Sequence, residues 1–252
     1  MDLAGHLIKA HGLGFLGRTG AWLFKELNFS LSPGEVVGLL GRNGVGKTTL
    51  LRTILGRLSP TAGKLIRQSI PGYVPQTSQL AFDYKVRDVL AMGRTRYRCF
   101  LRGRNTHDKE VVDIAMEKLR ITHLSNRSFM ALSGGERQLV LIARAIACES
   151  KTLLLDEPMA ALDLDNQSRL LNVLSQLAEI DSLGIIFSTH NPDHLFSASH
   201  KALILHQDAS SQFGDVDDIL TGENLERVYG LPIEIYVSPY TNRNARFAIP
   251  HY

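Results

Sequence analysis

Residues 36–55 read VVGLLGRNGVGKTTLLRTIL. Val36 to Leu40 is a continuous apolar run, the pattern of a parallel strand buried on both faces. From Lys47 the apolar residues recur at helical spacing, at Leu50, Leu51, Ile54, Leu55 and Leu58, so a helix is expected from Lys47 to Leu58. Between them lies GRNGVGKT, Gly41 to Thr48. Glycines at 41, 44 and 46 let the backbone curl, with Asn43 inside the curl. Successive N–H groups and the following helix N-terminus then converge on phosphate oxygens. Lys47 reaches β and γ phosphates as a point charge, the Thr48 hydroxyl is a ligand for Mg²⁺, and Thr49 completes the first turn. A merely structural glycine turn has no need of Lys47-Thr48-Thr49.

Outward from this stretch the pattern changes. Leu7 to Leu31 alternates irregularly between apolar and polar positions, with a glycine-rich turn expected from Gly12 to Gly20, which suits an antiparallel β layer. A segment with Pro71, Gly72 and Pro75 closes the first part at Gln76. Val86 to Ser150 is mainly helical in period, including Asp108 to Leu119 and Glu136 to Cys148, and reads as a helical subdomain inserted into the core. Two further apolar runs, Thr152 to Leu155 and Ile185 to Ser188, flank the amphipathic stretch Leu164 to Ala178, and strands alternating with helices argue for a parallel α/β sheet. The expected division is one domain over 1–252: 1–76 for the β layer and phosphate-loop core, 77–150 for the helical subdomain, 151–206 for the second part of the core, and 207–252 for a polar extension to which periodicity assigns no structure.

LLLDEP, Leu153 to Pro158, ends a buried strand in two acids. An unpaired carboxylate there is costly, and Mg²⁺ held through water is the natural compensation at Asp156. Side chains alternate across a strand end, so Glu157 is expected to diverge toward the γ-phosphate and act as general base on the attacking water. The plainer alternative is a helix-capping acidic pair. In LSGGERQ, Leu132 to Gln138, Ser133 is placed as an N-cap, Gly134 and Gly135 expose backbone N–H groups, and the helix from Glu136 adds a positive dipole end. This is a second anion site, in the helical insertion and far along the chain from Lys47.

These motifs in this order resemble the ATPases of ABC transporters, and the resemblance covers most of the chain. It implies a P-loop core with a RecA-like mixed sheet, an N-terminal antiparallel layer and an inserted helical subdomain. It also implies that two chains pair head to tail, each presenting Ser133, Gly134 and Gly135 to ATP held by the phosphate loop of the other. Glu136 stands where many members carry glutamine. Gln76, in GYVPQ, matches the glutamine that touches Mg²⁺ and the attacking water; on its own it reads as a turn residue after Pro75. His190, in FSTHNP, matches the switch histidine that hydrogen-bonds the γ-phosphate, and Asp163, in ALDLD, matches the loop that contacts the opposing chain. His194 and His200 read as surface or helix residues. The family stacks adenine on an aromatic residue of the N-terminal layer, for which GLGFLGRTGAW offers Phe15 and Trp22.

DVLAMGRTRY, the segment from Thr106 through the signature, and DEPMAALDLDNQ are similar to the ATPases of the metal-chelate importers, although GRTRY departs from the GRTPH common there. The implied assembly is a homodimer working against two polytopic permease subunits, with an extracytoplasmic binding protein upstream, at the cytoplasmic face of the inner membrane. The bulk composition agrees. The chain has 252 residues, of which 44% are hydrophobic, enough for a full core. Its apolar runs are far shorter than the ~20 residues that span a bilayer, and the N-terminus does not read as a secretion signal, so membrane association falls to a partner. Two cysteines, Cys99 and Cys148, make neither a disulfide scaffold nor a zinc site; Cys148 is expected on the apolar face of a helix. The net charge is a modest +3, but Arg94, Arg96, Arg98, Arg102 and Arg104 crowd one stretch. They read as a solvated basic loop facing a partner or anionic headgroups; the alternative is a nucleic-acid surface on a soluble, non-transport ATPase.

Overall fold

The computed structural model of the chain describes residues 2–76, 82–97, 106–160, 162–239 and 245–251, with the backbone alone at 95–97. The first two strands, β1 (Ile8–Leu16) and β2 (Trp22–Leu31), pair antiparallel. Gly12 and Gly14 lie inside β1, so the turn is shorter than the sequence suggests and is closed by Gly17 N–H donating to the Ala21 carbonyl at 2.7 Å. After β3 (Val36–Leu40) and helix α1 (Lys47–Leu55), strand β4 (Ala62–Arg67) returns to β1, giving a three-stranded sheet in the order β2-β1-β4. α1 stops before Leu58 because Gly56 takes a left-handed C-cap, φ 82°, and turns its N–H onto the Thr53 carbonyl.

The chain continues through β5 (Gly72–Val74), α2 (Val86–Ala91), a 3₁₀ turn (Met92–Tyr97), α3 (Thr106–Lys118) and α4 (Gly134–Ile146) before β6 (Thr152–Leu155). α4 starts at Gly134, ahead of the apolar period, because Ser133 caps it. It ends before Cys148, which lies past the helix with its sulfur 3.3 Å from the Gly93 carbonyl. Then come α5 (Leu164–Asp181), β7 (Gly184–Thr189), α6 (Pro192–Ala198), β8 (Lys201–Leu205), β9 (Ser211–Asp215), α7 (Val216–Ile219), α8 (Gly222–Tyr229), β10 (Ile233–Val237) and β11 (Arg246–Pro250). The polar stretch from Gln207 onward thus carries an edge strand, short helices and a β10-β11 hairpin.

The central sheet runs β5-β6-β7-β3-β8-β9, parallel through β8 and antiparallel at β9. Its two faces divide the core by strand alternation. Val36 and Leu40 of β3, with Leu153, Leu155, Ile185 and Phe187, join the cluster that includes α2–α6. Val37 and Leu39, with Leu154 and Ile186, join α1 and the inward residues of β1 and β2, including Ile8, Phe24, Leu27 and Leu31. The continuous apolar runs are therefore strands covered on both sides. Because β5, β6, β7 and β3 are parallel neighbours, their carboxyl ends reach one edge together, the place where open α/β sheets bind ligands.

Candidate nucleotide site

The loop leaving β3 enters α1 through Gly44 and Gly46, at φ 82° and 118°, a region open to glycine and costly for other residues. Gly46 is the N-cap of α1 and supplies no side-chain hydrogen bond to the helix. The first N–H groups of α1 consequently remain available to a ligand. They open on a cavity of about 300 Å³ lined by Leu23, Asn43, Gly44, Gly46, Lys47, Thr48, Thr49, Gln76 and Glu157. Lys47 is 5% exposed. Its ammonium donates to the carbonyls of Gly41 at 2.7 Å and Arg42 at 3.2 Å, and pairs with Glu157 Oε1 at 3.0 Å.

The acidic strand end splits in two directions. Asp156 is buried, accepting from Ser188 Oγ at 2.9 Å and from Tyr73 Oη at 3.3 Å. Two hydroxyls from the neighbouring strands thus compensate a carboxylate that the sequence left unpaired. Burial and the Asp156 carboxylate hold Tyr73 above the ordinary tyrosine value, so its hydroxyl stays a donor. Glu157 turns the other way, toward Lys47 and toward His190 Nδ1 at 3.3 Å. Its backbone is left-handed, φ 45°, a conformation costing about 1–2 kcal/mol outside glycine. Ser188 Oγ holds it there by accepting the Glu157 N–H at 2.9 Å.

Neither aromatic residue offered for adenine lines this cavity; Leu23 of β2 does. The Phe15 ring packs on Phe24, centroids 6.1 Å apart, and Trp22 lies over Gly14, where a Cβ would come within 2.8 Å of the indole. His190, half exposed, reaches the site through Glu157. His194 is buried rather than at the surface, with Nδ1 2.9 Å from Thr189 Oγ1 and Nε2 3.3 Å from Gln167 Oε1. His200 accepts the Val36 N–H at 3.0 Å.

Ser133, Gly134, Gly135 and Asp163 are not among the residues around this cavity. Ser133 caps α4 through a closed box: its hydroxyl accepts the Glu136 N–H at 3.3 Å, and its own N–H donates to Glu136 Oε2 at 2.8 Å. These bonds hold Glu136 below the usual carboxylate range, the Ser133 backbone N–H contributing most. The amides of Gly134 and Gly135 have no acceptor within the helix. Gly135 lies close against α5: a Cβ there would fall 2.8 Å from the Asn166 amide. Asn166 belongs to the first turn of α5, where Asp163 accepts its N–H at 2.9 Å.

The basic run does not stand as one loop. Arg94 is 2% exposed, donating to Asp108 at 2.9 Å, to the Ala147 carbonyl at 2.8 Å and to Glu149 at 2.6 Å. It ties the 3₁₀ turn to the start of α3 and to the chain leaving α4. Arg98, Arg102, Arg104 and Cys99 lie outside the described residues, as does the side chain of Arg96. Ser188, Tyr73 and the buried Arg94 escape a reading of periodicity because each is polar within a segment whose pattern concerns apolar residues.

A glycine loop between strand and helix, a buried lysine beneath it and a carboxylate facing that lysine define a nucleoside-triphosphate hydrolase of the P-loop class. The sequence profile described as ABC transporter matches residues 24–160. The molybdate import ATP-binding protein MolC of Haemophilus influenzae is 42% identical over 227 residues, 90% of this chain and 89% of that protein. The hemin import ATP-binding protein HmuV of Nocardia farcinica is 32% identical over 260 residues, 96% of this chain and 88% of the relative. A solved ABC transporter described as of metal-chelate type, in an inward-facing conformation, superposes with a TM-score of 0.92 at 38% identity over 98% of both chains. The chain belongs to the ATP-binding subunits of ABC transporters, and it is an ATPase.

Proposed function

We propose that the chain powers import of a metal chelate or a related metal-containing solute, as a homodimer bound to two polytopic permease subunits at the cytoplasmic face of the inner membrane. An extracytoplasmic binding protein would deliver the solute. The observation that carries the reading is the division of the site: Lys47, Gln76, Glu157 and His190 are gathered at one sheet edge, while the anion-seeking end of α4 lies apart from their cavity. In this reading two chains complete two sites, Ser133, Gly134 and Gly135 of each meeting ATP on the other, with Asp163 at the seam. The relatives' names support the solute class. Among the described residues no helix is long and apolar enough to cross a membrane, so the permease would provide the anchorage.

Thr48, Gln76 and Asp156 present oxygen donors alone, a set that fits a hard cation such as Mg²⁺. When bound, Mg²⁺ neutralises charge on the β and γ phosphates. The chain's own groups do the rest. The loop amides and Lys47 hold the phosphates, Gln76 and Glu157 align the attacking water, Glu157 takes its proton, and His190 donates to the γ-phosphate. Lys47 and Glu157 neutralise each other in this structure, so phosphate binding would draw the lysine away and free the carboxylate to act as base.

Affinity purification of the tagged chain from detergent-solubilised membranes of its own organism tests the assignment. A co-purifying polytopic protein is expected, with ATPase stimulated by a binding protein loaded with a metal chelate or molybdate. DNA-stimulated hydrolysis without any membrane partner would overturn it in favour of a soluble ATPase acting on nucleic acid.

A further inference from the structure

The C-terminal unit reaches back to the residues that follow β7. Tyr229, the last residue of α8, donates its hydroxyl to the His190 carbonyl at 2.6 Å. Ala248 of β11 donates its N–H to Asp193 Oδ1 at 2.9 Å, and the Asp193 N–H is itself held by Asn191 Oδ1 at 3.0 Å. The four residues from His190 to Asp193 are therefore fastened at both ends by the segment that carries α8 and the β10-β11 hairpin. Burial, with the Asp193 carboxylate nearby, raises the Tyr229 hydroxyl above the ordinary tyrosine value, so it remains a protonated donor across the working pH range. Tyr229 is partly buried and packs against the larger core cluster, as do Ile233, Ile235 and Ala248 of the hairpin, so its ring is held by packing as well as by the hydroxyl. A hydroxyl on a fixed ring that holds one carbonyl fixes the peptide carrying the imidazole. That imidazole lies 3.3 Å from Glu157.

We propose that Tyr229 is a positioning residue for hydrolysis: by holding the His190 carbonyl it sets the imidazole against Glu157 and the γ-phosphate, so the C-terminal unit is part of the catalytic apparatus. The proposal rests on the reading of His190 given above. It also predicts where the effect appears. Nucleotide is held by Lys47 and the loop amides, which Tyr229 does not touch, so ATP affinity should be spared while the chemical step slows.

The test is a double-mutant cycle on the purified full chain, with kcat and KM for MgATP measured for Tyr229→Phe, His190→Ala and the double variant. Tyr229→Phe removes one oxygen and keeps the packed ring. A kcat lower by about fivefold is expected, the size of one neutral hydrogen bond, with KM within about twofold, whereas the double variant should be no slower than His190→Ala alone. A purely structural tyrosine would instead slow both backgrounds equally, and that outcome overturns the proposal. Unchanged kcat in Tyr229→Phe with a slow His190→Ala removes the proposal and leaves the role of His190 standing. Wild-type kcat in His190→Ala removes that role, and the proposal with it.

Discussion

The N-termini of α1 and α4 are both built to attract an anion, yet they are finished in opposite ways. α1 begins at a left-handed glycine that caps nothing, above a buried lysine and facing a carboxylate. α4 begins at a serine whose hydroxyl and amide are both spent on Glu136, and its own first turn carries a negative charge. A helix end with unfilled amides and a fixed cation is a complete phosphate cradle. One with a closed capping box and two bare glycine amides holds phosphate only if another surface supplies the cation. In the proposed reading the first end serves catalysis and the second association.

The sharpest way to break this division is Glu157→Gln, since the amide keeps the shape but cannot take a proton. Turnover should fall by about 10² to 10⁴ with ATP affinity retained, as followed by phosphate release and nucleotide titration; hydrolysis within about threefold of wild type would remove Glu157 as the base. Lys47→Ala should weaken ATP binding itself by about 10- to 100-fold, the loss of a charge-assisted contact, measured by calorimetry. Ser133→Arg should leave that affinity within about twofold, because α4 lies outside the cavity. Placed in the Glu157→Gln background, it should abolish ATP-dependent dimers seen by light scattering, and equal dimerisation would show that the α4 end faces no partner nucleotide.

Smaller effects sharpen the same comparison. Glu136→Gln keeps both bonds of the capping box and removes the charge at the α4 terminus, with its exposed pair to Arg127 at 3.7 Å. Stability should fall by less than about 1 kcal/mol, read as a small drop in Tm, and a loss of several kcal/mol would mean that the charge does more than complete the cap and face an exposed arginine. The smallest effect concerns pH. Burial holds His194 below its ordinary value of 6.5, and His206 is shifted the same way by burial. The unfolded chain therefore takes up these protons first. Their contribution to stability is complete above about pH 6.5 and is lost as pH falls below it. Tm should decline between pH 7 and 5.5, less steeply in His194→Gln.

Sequence alone located the elements whose physics is one-dimensional. Val36–Leu40, Thr152–Leu155 and Gly184–Thr189 are buried on both faces, so their composition is continuous and apolar; the phosphate loop is legible because glycines and a lysine must stand at fixed spacing. Asp156 and Glu157 diverge as expected, but beyond the end of β6, where the left-handed backbone at Glu157 rather than strand alternation turns the second carboxylate away. What escaped depends on contacts across the fold. β9 reads SQFGD, with no apolar period, because its order comes from pairing with β8. Arg94 sits in a run of arginines that looks solvated, and only the approach of Asp108, Glu149 and the Ala147 carbonyl makes it interior. Neither candidate for adenine stacking, Phe15 or Trp22, lines the phosphate-loop cavity, where β2 contributes Leu23 instead.

The two borders of the central sheet have a consequence for how the protein behaves when crowded. One border is β5, only three residues long, and the other is β9, a short strand carrying serine, glutamine and aspartate. Short or polar borders offer a stray chain few backbone groups to copy and little apolar surface to cover. A subunit synthesised before it meets its assembly would therefore be little prone to templating fibres through these two borders. Remaking Ser211, Gln212 and Asp215 as β-branched apolar residues would turn a harmless margin into a nucleus for aggregation.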